Sequence, residues 1–171
     1  MSDEMHMLDE FTIDPALAPE RMPIRISDAM ARVIDTAEER EVPMVFAYID
    51  EKNAIRQTFR GSIHVHGARQ LAFWNRDPAG GFIRALEAGN NAVCTTYREP
   101  GTPRTLQFHG RAHVVQDPAE AERVWRESPE LERTLTHGRN GVAVIIELDR
   151  VQGVDQRSES GAWEPFLMTR A

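Results

Sequence analysis

Apolar positions recur along this chain at two different periods, and the change of period marks out its elements. Ile26, Ala29, Met30, Val33, Ile34 and Ala37 fall at helical spacing, with Ser27 placed to cap them and Pro43 to close the segment. A helix is therefore predicted from Ser27 to about Glu41. From Val42 the pattern becomes that of strands. VPMVFAYID is the first, Glu51-Lys52-Asn53 a turn, and AIRQTFRGSIHVH a long second strand with a bulge or bend at Gly61. GARQ turns the chain into the third strand, LAFWNR, which runs through Asp-Pro-Ala-Gly-Gly into a short helix, FIRALEAG, stopped by Gly89. NAVCTTYR, the long RTLQFHGRAHVVQ interrupted at Gly110, and GVAVIIELDRVQGV complete a set of six. The VAVII run in the last of these predicts burial on both faces. Before it, Asp117-Pro118-Ala119-Glu120 reads as a capping box with proline at N1, and the helix it starts carries Val124 and Trp125 and stops before Pro129. Ser128-Pro129 then starts another turn or two through Leu131 and Leu135.

Short turns between strands imply antiparallel pairing, because parallel neighbours need long crossovers. Glycines inside long strands turn corners in small barrels. The expected fold is mainly β: a six-stranded antiparallel barrel with peripheral helices. Residues 1–23 mix acids, methionines and prolines without a period and are read as an N-terminal arm, with residues 24–154 as the folded domain and 155–171 as a C-terminal tail.

At 171 residues the chain has room for one domain with a sizeable core. Its net charge of −7 lacks the basic footprint of a nucleic-acid binder. No apolar run approaches the length of a membrane span. The acidic start MSDEMHMLDEF does not resemble a signal peptide, so a cytoplasmic protein is expected, with no nucleic-acid or membrane partner. Cys94 is the only cysteine and sits in an apolar strand pattern, as a small core residue would. Lys52 is the only lysine among 20 basic residues, so an oxyanion site here must rest on arginine, whose planar fork grips oxyanions bidentately.

The chemistry-bearing patterns are few. His64 and His66 share one strand face, but Gln70 stands where a cupin-type barrel would place an acid, and no metal ligand set is assigned. Neither a P-loop nor a Rossmann fingerprint is present. No Ser-His-Asp order or Cys-His pair stands out, so the catalytic residues are unknown and any redox chemistry must come from a cofactor. What remains is a strand, Arg76, a glycine turn at Gly80-Gly81 and a helix start, where an anion could approach backbone N–H groups. The cluster of Arg60, Gly61 and Ser62 is expected on a strand that pairs with LAFWNR, beside Trp74, Asn75 and Arg76. Thr105 and Gln107 of the fifth strand could hydrogen-bond the edge of a heterocycle, and Trp163 could stack on a ring.

The succession RGSIHVHG, LAFWNRDPAGGFIRAL, NAVCTTYREP, RTLQFHGRAHVVQDPAEAERVW and GVAVIIELDRVQGV resembles the pyridoxamine 5′-phosphate oxidase-like flavoproteins, the FMN-binding split barrels. The resemblance spans Ser27 to Val154. It implies a split-barrel flavin-binding domain, a homodimer with FMN held at the interface, and an oxidoreductase acting on a small-molecule substrate or a nicotinamide electron donor. Arg60, Gly61, Ser62, Trp74, Asn75, Arg76, Gly80 and Gly81 would line the flavin and its phosphate, with Thr105 or Gln107 of the same or the other subunit at the ring edge. A deazaflavin or haem in the same framework, and a non-catalytic sensor or stress-related protein, are the alternatives. Two departures stand out. Many relatives have a Ser/Arg-Lys pair where this chain has Gly80-Gly81-Phe82, and GAWEPFLMTRA does not reproduce the substrate segment of the vitamin B6 oxidases. Pyridoxamine phosphate oxidation is therefore not predicted.

Overall fold

A computed structural model describes residues 19–157 and 161–170. Among these residues nine strands and four α-helices follow in order: β1 (Arg21–Pro23), α1 (Asp28–Asp35), β2 (Met44–Ile49), β3 (Ile55–Arg60), β4 (His64–Gly67), β5 (Gln70–Asn75), α2 (Gly81–Glu87), β6 (Ala92–Arg98), β7 (Thr105–Val114), α3 (Pro118–Glu127), α4 (Glu130–Leu135), β8 (Val142–Gln156) and β9 (Trp163–Thr169), with a short 3-10 turn at His137–Arg139 between α4 and β8. Within one sheet the order is β1-β9-β8-β7-β6-β2-β3, and β5 joins β8 to β4. The chain is thus mainly β, with an antiparallel meander at its centre, as expected.

It departs from the six-stranded expectation in three places. The long second strand breaks at Gly61–Ile63, so that β3 pairs with β2 while β4 pairs with β5. The segment read as a tail returns as β9, antiparallel to β8 with Arg150 opposite Thr169 and Gln156 opposite Trp163. Residues 21–23 of the segment read as an arm form β1, parallel to β9, which makes the sheet mixed; residues 1–18 lie outside the described ones.

The strand alternation decides what each face meets. Leu71, Phe73, Val144, Ile146 and Leu148 point into the main core with Phe46, Tyr97, Leu106 and Phe108. Ala72, Trp74, Ala143 and Ile145 point the other way, under Val124 of α3. The VAVII run is buried on both faces because α3 covers the outer one. At Gly110 the register of β7 against β8 shifts, leaving Asp149 as the extra residue of a bulge. A Cβ at Gly110 would stand 2.3 Å from the Glu147 carbonyl oxygen, so only glycine lets the two backbones approach here.

The helix starts follow their caps. Ser27 Oγ accepts from the Met30 amide at 3.2 Å, although α1 ends at Asp35, earlier than predicted, in a run of turns. Asp117 accepts from the Ala119 amide at 3.0 Å with Pro118 in the first turn. Glu120 does not close the expected capping box. Its carboxylate instead reaches His66 Nε2 at 2.6 Å, drawn across to β4 by a stronger partner than a backbone amide.

Candidate functional site

Where β3 ends and β5 runs out toward α2, a cleft of about 310 Å³ opens. Tyr48, Thr58, Arg60, Asn75, Arg76, Asp77, Gly80, Gly81 and Phe82 line it. Two roomier hollows, of about 430 and 530 Å³, lie elsewhere on the surface, and neither brings two arginines together.

Arg60 is the unusual member. Its guanidinium lies against the rings of Phe73, Phe46 and Phe82, at 5.0, 5.5 and 6.0 Å from their centroids. Such aromatic faces stabilise a cation and hold it in place. Its Nε is buried and has no hydrogen-bond partner, and among the described residues no carboxylate stands at ion-pair distance. Burial is the main cause of a guanidinium pKa below its ordinary value, but arginine remains charged at neutral pH. A cation largely withdrawn from water without an ion-pair partner is costly, and its buried, unsatisfied donor calls for an acceptor.

Arg76 is placed differently. It is more than half exposed, and its Nε meets Glu132 Oε1 at 3.1 Å. Its charge is therefore partly answered from α4. Buried Asn75 fixes the turn by donating to the Asp77 carbonyl oxygen at 2.6 Å, and Asp77 Oδ1 accepts from the Ala79 amide at 3.1 Å. Arg84 turns aside, donating to the Ala79 carbonyl oxygen at 2.7 Å and facing Glu51 at 3.6 Å.

Neither glycine of the turn is there for its backbone angles. Gly80 has φ −69° and ψ 170°, which any residue adopts, and Gly81 starts an ordinary helix. Their effect is spatial. A Cβ on Gly81 would stand 3.4 Å from the Tyr48 hydroxyl, and one on Gly80 would stand 2.8 Å from Asp77 Oδ2. The missing methyl groups widen the floor of the cleft.

Within one chain the structure thus brings together Arg60, Asn75, Arg76, Gly80 and Gly81 of the sequence-predicted set and places the rest elsewhere. Trp74 points to the opposite face, where its ring meets Trp125 edge-on at 4.9 Å and its Nε1 donates to the Asn140 carbonyl oxygen at 3.1 Å. Two residues on either side of a strand position cannot share its face. Ser62 is buried against the backbone of Trp74, and Gly61 abuts the Glu38 side chain. Arg60 to Ser62 do not pair with β5, since the strand breaks between them and β4. Thr105 and Gln107 lie at the start of β7, where Gln107 Oε1 accepts from Gln152 Nε2 at 2.8 Å. Trp163 stacks on Arg104 at 5.4 Å rather than facing a cleft. Cys94 is half-buried in β6, and burial pushes its thiol up, as suits an inert side chain. Tyr48, Asp77 and Phe82 enter the cleft without having been singled out. Tyr48 could have been found by alternation from buried Phe46.

No protein-family model matches this sequence, and no curated protein matches it. Solved structures do. HupZ of Group A Streptococcus superposes with a TM-score of 0.58 at 16% identity, over 74% of this chain and 91% of that one. A pyridoxamine 5′-phosphate oxidase-related, FMN-binding protein from Nostoc punctiforme gives 0.55 at 11% identity, over 80% and 94%. A Clostridium acetobutylicum protein of the pyridoxinephosphate oxidase family, related to general stress protein 26 of B. subtilis, gives 0.51 at 10% identity, over 71% and 87%. The chain has the fold of the pyridoxamine 5′-phosphate oxidase-like split barrels.

Proposed function

We propose that the chain binds FMN, with the flavin phosphate on Arg60 and Arg76 above the Gly80-Gly81 turn, and that it works as a flavin-dependent oxidoreductase. The observation that carries this reading is Arg60: a cation held by three aromatic rings, with a buried Nε that has no partner. A phosphate oxygen is the acceptor it lacks. The absent Cβ atoms at Gly80 and Gly81 leave the room that such a group needs. FMN when bound supplies hydride and single-electron chemistry, while the protein's part is to anchor and orient it.

A homodimer is part of the proposal. Ile55 and Phe59 of β3 are 81% and 72% exposed, and they share their strand with Thr58 and Arg60 of the cleft. A second copy laid on this strand would cover apolar surface and enclose the cleft in one step. A nicotinamide nucleotide is the electron donor that we propose.

A second reading, a flavin-binding protein without turnover, is favoured by the Arg76–Glu132 pair, which leaves Arg60 as the main anchor. Titration of the purified protein with FMN, followed by desalting, tests the common part. About one flavin retained per subunit supports the pocket, and complete loss of added flavin rejects it. Reduction of the bound flavin by NADH or NADPH and its reoxidation by an acceptor then separates enzyme from binding protein.

A further inference from the structure

On the opposite face of the sheet from the cleft, beneath α3, a second polar cluster is built from β4 and the helix. His64 and His66 project toward α3, because His64 is paired with Ala72, which belongs to the cluster under Val124. His64 is 2% exposed, and its Nδ1 donates to the Ser62 carbonyl oxygen at 3.1 Å. A carbonyl only accepts, so Nδ1 carries the hydrogen and Nε2 is a bare acceptor. That Nε2 is buried and has no partner. His66, also 2% exposed, lies between two carboxylates, with Nε2 at 2.6 Å from Glu120 Oε1 and Nδ1 at 3.0 Å from Glu127 Oε2. One ligand atom each from His64, His66 and Glu127 falls within 4.8 Å of the others.

We propose that His64, His66 and Glu127 form a binding site for a divalent transition ion of the zinc type, with Glu120 orienting His66. Two imidazoles and one carboxylate suit a borderline ion of this kind and leave a fourth position for water or an exogenous ligand. Each histidine already shows the arrangement of a metal ligand, one ring nitrogen tied to an oxygen acceptor and the other turned into the cluster. Ligand atoms around such an ion stand about 3.4 Å apart, from bonds of about 2.0–2.1 Å. The His66–Glu127 pair is already that close, and the set contracts from its present span of up to 4.8 Å by small turns of the two imidazoles and of the partly exposed Glu127 side chain. The ion takes the place of the proton between His66 Nδ1 and Glu127, and that proton is released to solvent. Glu120 and Glu127 balance the two charges of the ion, and Arg123 faces them from the outer side, at 2.9 Å from Glu127 and 3.8 Å from Glu120.

The test uses the full chain without a polyhistidine tag, titrated with Zn²⁺ and, for its spectrum, with Co²⁺. One ion per chain and an intense tetrahedral cobalt absorption are expected, together with a rise in thermal midpoint on adding Zn²⁺. Glu120→Gln should weaken binding by about 10–100-fold. Glu127→Gln should weaken it further and abolish the cobalt band. Because the Glu127 side chain is partly exposed, this variant remains informative even if His64→Ala fails to fold. Glu122→Gln, on the same helix but paired with Arg139, should bind like the wild type. Absence of stoichiometric binding by the wild type, or equal affinity in Glu127→Gln, would overturn the site and leave an ion-pair cluster that only fastens α3 to β4.

Discussion

Arg60 and Arg104 are both largely withdrawn from solvent, both lie against aromatic rings, and their surroundings differ in one respect. Arg104 stacks on Trp163 and brings its own acids, with Nε at 2.7 Å from Asp155 and an amino group at 2.7 Å from Glu99. Burial alone would lower its pKa, but the hydrogen bonds and charges of Asp155 and Glu99 outweigh burial and raise it. Arg60 has the rings without the acids, and burial holds its pKa down. The first is a finished structural contact that ties the β6–β7 turn to β8. The second is a cation fixed in position by rings, with a buried Nε that has no partner. Withdrawal from water does not by itself distinguish the two arginines; the presence of a counter-ion does.

The largest effect expected from this contrast is on stability. Arg104→Ala leaves Asp155 buried without its cation and should cost about 3–5 kcal/mol in denaturant unfolding, as when one partner of a buried pair is removed. FMN affinity per folded molecule should stay unchanged. Arg60→Met should do the reverse. Replacing a half-buried cation that makes no ion pair with an apolar chain should leave stability level or higher, while FMN binding weakens by about 1.5–3 kcal/mol, the worth of a charge-assisted hydrogen bond. If Arg60→Met unfolds the protein or leaves FMN affinity untouched, the two arginines do not differ as described.

Smaller effects sharpen the picture. Arg76→Ala should weaken FMN binding by only about 1 kcal/mol, since Glu132 already answers part of its charge. Gly81→Ala should raise stability by about 0.4–1 kcal/mol, because its backbone suits alanine, and yet reduce flavin affinity by narrowing the cleft. Calorimetry and flavin titration of the same sample would show both signs at once. The smallest effect is acid sensitivity at Glu99. Burial would raise its pKa, but the Arg40 hydrogen bond and the Arg104 charge bring it below the ordinary 4.5. The stability it contributes is present above pH 4.5 and lost as pH falls through the lower folded value. Acid titration of Glu99→Gln should lack this component.

Local chemistry made much of this readable from residues alone. The Ser27 and Asp117 caps and the glycine turn rest on interactions within a few positions of the residue concerned, and the two-faced burial of VAVII showed in its unbroken apolar run although α3 supplies the outer cover. Arg60, Asn75, Arg76, Gly80 and Gly81 were legible as a cluster for the same reason, each being an arginine, an asparagine or a glycine at or just beyond a strand end. Trp74, Asn75 and Arg76 are consecutive and cannot all line one side, and alternation turns Trp74 away from the face of Asn75. Thr105 and Gln107 depended on the register of β7 against β8, which a bulge at Asp149 shifts. The likeness of His64 and His66 to metal ligands was visible in HVH, but Glu120 and Glu127 stand more than fifty residues further on and meet them only because α3 crosses β4.

The fifteen-residue strand β8 is hydrogen-bonded to β7 along one side and to β5 and then β9 along the other. Gln70 of β5 meets its partner Glu147 across 77 positions of chain. During synthesis, therefore, β5 leaves the ribosome long before the strand that covers its edge exists. Until then the nascent chain presents LAFWN as an unpaired apolar border, the kind of surface on which growing polypeptides associate with one another. Yield from cells should depend less on the stability of the finished barrel than on how this border is guarded, by a chaperone or by slow growth at low temperature, while the last third of the chain is being made.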